Sequence, residues 1–194
     1  MYKILLEVDG SADSLAAVNV AILLTSLAPQ STVAAQCVLD TPGIWKLLGL
    51  QDPGLVGSGP YFQAFESIRN SLRDLAETVL ESYQARCNNA CFAEILIDEG
   101  DWLSSVVERA EALHPLVIVG KSTMERVAKE ASMTVPELVK KISYPVVIVD
   151  KEQLPSGSFP MFSADANVTV LDLKLLLEKA QEVFDRTNVS ASAA

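Results

Sequence analysis

The sequence predicts an α/β protein with a mainly parallel sheet and helices on both faces. Three observations carry this. Leu116-Val117-Ile118-Val119-Gly120 and Pro145-Val146-Val147-Ile148-Val149 are short continuous apolar runs, the pattern of strands buried on both sides. Segments of helical period separate the apolar runs. The two patterns alternate along the chain, and strand–helix alternation implies parallel strands joined by helical crossovers.

The elements follow in order. Tyr2-Lys3-Ile4-Leu5-Leu6-Glu7-Val8 is a short strand, and Asp9-Gly10-Ser11 turns the chain. Ser11 is placed to cap a helix over 13–28, with apolar residues at Leu15, Val18, Ile22 and Leu23 and a stop at Pro29. A second strand spans 32–39. Residues 41–60 are irregular, with five glycines and three prolines. A helix of about 25 residues follows over 61–86, with Phe65, Ile68, Leu72, Leu75, Val79 and Leu80 on one face. The third strand spans 92–97. Asp101 caps a helix over 103–113. The fourth strand, a helix over 134–143 and the fifth strand complete the core. In such sheets ligands sit beyond the strand carboxyl ends, where strand order reverses. The first and fourth strands are the expected switch pair, with Asp9-Gly10 and Gly120-Lys121 at their tips.

Composition narrows the function classes. The 194 residues suit one domain with an appendage, and 49% hydrophobic against 21% charged residues supports an ordinary core. No apolar run reaches the ~18 residues of a membrane span. No basic leader precedes the first strand, so the expected location is cytoplasmic. A formal charge of −10 opposes non-specific nucleic-acid binding, which needs basic residues on phosphates. Three cysteines, Cys37, Cys87 and Cys91, are too few for a disulfide framework. His114 is the only histidine, so a zinc site or a nucleophile–base pair is not expected; its place after Leu113 suits a helix end. Cys87 and Cys91 lack redox-pair spacing and read as buried thiols, with a regulatory disulfide as the alternative.

Over residues 1–150 the chain resembles the universal stress proteins. The matching pieces are Lys3-Ile4-Leu5-Leu6-Glu7-Val8-Asp9-Gly10-Ser11 with Ser14 and Ala16-Ala17, then Gly100-Asp101, then Leu116–Gly120 followed by Thr134-Val135 and Tyr144-Pro145-Val146-Val147-Ile148-Val149. The resemblance implies a five-stranded parallel sheet in a three-layer, flavodoxin-like or adenine-nucleotide-hydrolase-like sandwich. It also implies a homodimer paired through the last strand.

Nucleotide-binding members of that family carry glycine, two residues, glycine, nine residues, glycine and a Ser/Thr. Glycines let backbone N–H groups approach phosphate, and a helix N-terminus completes the cradle. Here the positions read Gly120, Thr123, Met133 and Thr134, so one glycine of three remains. Pro136 has no N–H to give. Thr134-x-x-Glu137 is a capping box that satisfies the helix with its own carboxylate. An anion seat closed by Met133, Pro136 and Glu137 is therefore expected. The resemblance still assigns a ribose contact to Asp9, an adenine contact to Val38, and cradle positions to Gly120, Thr134 and Val135. Asp9 also suits a turn, and Val38 also suits strand core. Gly120-Lys121-Ser122-Thr123 is not a P-loop, because Pro115 stands where that motif needs glycine.

Two segments depart from the family pattern. The 41–60 insertion places Trp45, Leu47, Leu48, Leu50 and Leu55 among glycines and prolines, with a short helix possible over 44–50. Loops of this length serve as lids or binding surfaces, or pack on their own subunit. After residue 150, residues 151–169 read as a linker and 170–186 as an amphipathic helix with Leu173, Leu176, Leu177, Ala180, Val183 and Phe184 on one face. Such a helix needs a surface to dock on, and extension of the dimer is expected.

These readings describe a dimeric, cytoplasmic, non-catalytic stress-response module that binds or scaffolds a protein partner and holds no cofactor and no metal. The alternative is an adenine-nucleotide sensor for ATP or AMP with slow hydrolysis. A flavin or dinucleotide enzyme lacks the glycine fingerprint after the first strand.

Overall fold

The computed structural model describes residues 3–28, 30–48, 59–86 and 92–175. Its strands are β1 (Lys3–Glu7), β2 (Thr32–Leu39), β3 (Phe92–Glu99), β4 (Leu116–Gly120), β5 (Val146–Val149), β6 (Ser158–Phe162) and β7 (Val168–Asp172). Its helices are α1 (Ala12–Leu27), α2 (Thr41–Leu47), α3 (Pro60–Arg86), α4 (Trp102–Leu113), α5 (Lys121–Glu130) and α6 (Val135–Ile142), with a short 3-10 turn over Lys151–Gln153. The sheet order is β3-β2-β1-β4-β5-β6-β7. β1 to β5 pair in parallel, and the order reverses between β1 and β4 as expected.

Each sheet face carries its own core. Ile4, Leu6 and Val8 of the first strand region pack with Ala17, Val18 and Val20 of α1 and Leu80 and Tyr83 of α3. Leu5 faces the other way, with Val106 of α4, Met124 and Val127 of α5, and Leu138, Val139 and Ile142 of α6. The period-2 alternation of β1 therefore feeds two apolar layers, which is the three-layer arrangement. Caps fix the helix starts. Ser11 accepts from the Ser14 N–H at 3.1 Å, and Asp101 accepts from the Ser104 N–H at 2.9 Å.

The architecture corrects four expectations. The sheet has seven strands, not five, because β6 and β7 add an antiparallel hairpin beyond β5. Residues 151–169 are thus not a linker: Phe159 and Phe162 of β6 are buried in the two cores, and core contact outweighs the Pro155, Gly157 and Pro160 signals. Residues 170–172 are strand, and a helical turn starts at Leu173, with the Leu175 N–H donating to Asp172. The rest of the expected terminal helix lies outside the described residues. Finally, β6 of the same chain occupies the outer edge of β5, so a partner strand cannot add there.

The 41–60 insertion divides in two. Its first part is α2, capped by Asp40, with Ile44 buried and Trp45 stacked on Phe65 of α3 at 4.0 Å between ring centroids. This part packs on its own subunit. Residues 49–58, with the lid reading, lie outside the described residues, as do Cys87 and Cys91. His114 ends α4 in the left-handed region at φ 51, and its N–H donates to the Ala110 carbonyl.

Candidate functional site

The site lies at the carboxyl ends of β1 and β4, where the sheet order reverses. β4 ends on Gly120 and passes directly into α5, with Gly120 as N-cap. Helix therefore fills residues 121–130, to which the sequence reading assigned no element. The signal was present: Met124, Val127 and Ala128 sit at helical spacing, no glycine or proline interrupts 121–130, and all three are buried.

Gly120 supplies no side chain to cap α5, and α1 supplies the cap instead. Asp13 Oδ2 accepts the Ser122 N–H at 3.0 Å, and Oδ1 accepts the Lys151 N–H at 3.1 Å. Ser122 is the second residue of α5, the position whose N–H an N-cap side chain normally takes. A carboxylate thus sits at a helix N-terminus facing two backbone donors, the environment in which a phosphate oxygen is otherwise held. The ammonium of Lys121, the first residue of α5, is taken as well: its Nζ lies 2.8 Å from Asp150 Oδ2.

Close packing explains Gly120. A Cβ there would lie 2.9 Å from the Ser14 nitrogen and 3.0 Å from the Asp13 carbonyl carbon, both backbone atoms. Gly120→Ala is expected to cost about 1–3 kcal/mol by overpacking α1 against β4, read as a lowered urea midpoint at unchanged slope.

Asp9 is engaged by its own chain. Thr123 donates its hydroxyl to Asp9 Oδ2 at 2.5 Å, and the Ser11 N–H donates to Oδ1 at 3.0 Å. Burial raises the Asp9 carboxyl, but these hydrogen bonds outweigh it and hold it below the usual range. Thr123 thus stands where the motif wants glycine and fills the space with a hydroxyl aimed at Asp9. Thr134 caps α6. It accepts from the Glu137 N–H, while Glu137 Oε2 accepts the Thr134 N–H at 2.7 Å, so the capping box is formed as predicted.

Two of the predicted residues, Val38 and Val135, line different cavities. Val38 lines a cleft of about 150 Å³ with Asp40, Trp102, Arg126 and Glu130. Val135 lines a separate depression of about 210 Å³ with Met124, Ile148, Pro160 and Phe162. Asp9 and Gly120 line neither; Thr123 bonds Asp9, and Asp13 and Ser14 pack against Gly120. Asp13 takes the Ser122 N–H and Thr123 bonds Asp9, contacts the sequence reading did not give, while Glu137 caps α6 as it expected. Asp13 carries no local signal, because its partners are 109 and 138 residues away.

A buried polar row runs behind the cleft. Glu7 and Gln36 are register partners on β1 and β2, both buried, and the Gln36 amide donates to Asp98 Oδ2 at 2.7 Å. Arg109 binds both Asp98 oxygens, at 2.8 and 2.6 Å, and holds that carboxyl below its usual range. Trp102 hydrogen-bonds Glu7, but Glu7 Oε1 and Gln36 Oε1 have no partner among the described residues. Burial, reinforced by Glu7 and Asp9, pushes the Cys37 thiol up to about 12, which makes it a poor nucleophile. Among the described residues no cluster of His, Cys, Asp and Glu is arranged to hold a metal, and no helix is long and apolar enough to cross a membrane.

An open parallel sheet of order 3-2-1-4-5, helices on both faces and a glycine ending β4 define the class of fold. It is the fold of the universal stress proteins. A protein of that family from Burkholderia pseudomallei shares 19% identity over 76% of this chain and 94% of its own, at a TM-score of 0.50. A universal stress protein solved in complex with cAMP shares 18% identity over 77% of this chain and 97% of its own. Its TM-score of 0.47 adds nothing to the assignment. No family model and no curated protein matches the sequence.

Proposed function

We propose that this chain is a non-catalytic, cytoplasmic binding or scaffold module of the stress response that does not take a nucleoside triphosphate. The fold supports the stress-response setting. One observation carries the rest: the Asp13 carboxylate already takes the Ser122 N–H at the start of α5 and the Lys151 N–H after β5. A phosphate entering there would meet a fixed anion and an ammonium already paired with Asp150. The charge of −10 makes nucleic acid an unfavourable partner. Neither Cys37 nor His114 is placed as an activated nucleophile or base, because the thiol is held protonated and the imidazole bonds Tyr144 at 2.8 Å.

The cleft beside Val38 favours a second reading. Trp102 and Val38 offer apolar walls and Arg126 a cation, a combination suited to a nucleobase with at most one phosphate. Calorimetric titration with ATP and with AMP separates the readings. No heat with either ligand up to millimolar concentration is the expected result. Micromolar binding of ATP overturns the first reading, and micromolar AMP with silent ATP selects the second.

A further inference from the structure

A depression of about 540 Å³ lies at the amino end of the sheet, opposite the strand tips that carry Asp9 and Gly120. Four strands bring its lining together. Lys3 opens β1, His114 precedes β4, Tyr144 precedes β5, and Met161 reaches the same end because β6 runs antiparallel. The volume is that of a small-molecule site. Two of its walls are loops that leave a helix on a left-handed residue, His114 at φ 51 after α4 and Ser143 at φ 63 after α6. Each loop then meets a proline of the lining, Pro115 or Pro145. A proline ring fixes φ, so both walls are held in shape before any ligand arrives.

The polar groups here differ from those at the other end of the sheet. Among the described residues no acid lines this depression, although the chain carries a charge of −10. The two at the carboxyl end hold Glu125 and Asp150, or Asp40, Asp101 and Glu130. Lys3 makes no ion pair among the described residues, and Glu94 shares an adjoining hollow with it without pairing. The Tyr144 hydroxyl lies 2.8 Å from His114 Nδ1. That bond uses one hydrogen. A phenol and an imidazole bring at least two, so a donor is left over in either tautomer. Helices α4 and α6 end nearby, and a helix C-terminus disfavours an anion. The His114 and Ser143 N–H groups take up the Ala110 and Val139 carbonyls, and Lys140 and Lys141 close the last turn of α6, so that field is blunted.

We propose that this depression binds a small monocarboxylate with an apolar body. Lys3 and the His114–Tyr144 pair take the carboxylate, through an ammonium and a spare donor that make charge-assisted hydrogen bonds. Leu113, Leu116 and Met161 take the hydrocarbon, which leaves water on binding. The site shares no residue with the clefts at the carboxyl end, so it is independent of the nucleotide reading above.

Octanoate titrated into the isotope-labelled full chain, followed by backbone amide NMR shifts, tests it. Saturable shifts with a millimolar or tighter dissociation constant are expected at Lys3, His114, Leu116, Tyr144 and Met161, while Asp9 and Gly120 stay still. Octanol, which has the same chain length and no carboxylate, is expected to bind about tenfold more weakly, the scale of one hydrogen bond to a charged group. Lys3→Met keeps an apolar stem and is expected to bring octanoate down to the affinity of octanol. Tyr144→Phe is expected to weaken octanoate several-fold and to leave octanol unchanged. Circular dichroism checks both variants, and either one serves if the other unfolds. No saturable shift at millimolar octanoate, shifts at the carboxyl-end tips instead, octanol bound as tightly as octanoate, or octanoate affinity unchanged in a folded variant overturns the proposal.

Discussion

Asp13→Ala is expected to destabilise the protein by about 1–2 kcal/mol and, at the same time, to make its stability depend on phosphate. The destabilisation is that of losing a helix cap, because Asp13 serves α5 from across the sheet. The phosphate dependence follows from what remains. With the carboxylate gone, the Ser122 and Lys151 N–H groups face open space at a helix N-terminus, with Lys121 adjacent. Inorganic phosphate or sulfate is then expected to raise the thermal midpoint of the variant in a saturable manner and to leave wild type unchanged. Saturable phosphate stabilisation is linkage to a bound ion, so it separates site opening from a mere loss of packing. A midpoint gap between the two chains that phosphate does not narrow would show that Asp13 does not guard an anion site.

Glu7→Gln is expected to stabilise the protein by about 1–3 kcal/mol at pH 8, the scale of relieving a buried unsatisfied group. Glu7 is 3% exposed, and burial raises its carboxyl well above the usual range, with the Trp102 hydrogen bond opposing and Asp98 and Asp9 adding to the rise. The folded chain therefore keeps the Glu7 proton to a higher pH than the unfolded chain does. Between the two pKa values the native state binds more protons, so this residue's contribution falls as pH rises through that window. The amide cannot ionise, and its N–H₂ can give Gln36 Oε1 the donor it lacks. The advantage of the variant is expected to vanish below the unfolded carboxylate pKa, where both side chains are neutral. Denaturant melts of both chains from pH 4 to 9 measure this; a gap that does not widen with pH refutes the ionisation argument.

The parallel core was legible because its signals are local. The β4 and β5 runs, the Ser11 and Asp101 caps and the Thr134–Glu137 box each act within a few residues, and all are found where the sequence places them. The hairpin was not legible. Pro155, Gly157 and Pro160 are turn residues by every local rule, yet Pro160 sits in β6 beside buried Phe159 because contact with the β5 edge overrides propensity. At the site, the departure from the glycine motif was readable and its physical substitute was not. Thr123 looked like a lost glycine, and only the fold shows its hydroxyl on Asp9. Asp13 looked like an ordinary first-turn acid. Glu7, in an otherwise apolar strand, was passed over as part of the run, although a carboxylate flanked by Leu6 and Val8 is the anomaly that a search for buried polar groups should stop on.

The Asp13 bridge also orders the assembly of the molecule in time. During synthesis α1 leaves the ribosome directly after β1, and its acid waits through more than a hundred residues before Ser122 arrives and further still before Lys151. Until β6 follows, β5 offers a bare apolar margin to any neighbouring nascent chain. Docking of β6 shields that margin, and the Lys151 N–H in the turn that leads to β6 ties the first helix to the same end of the sheet.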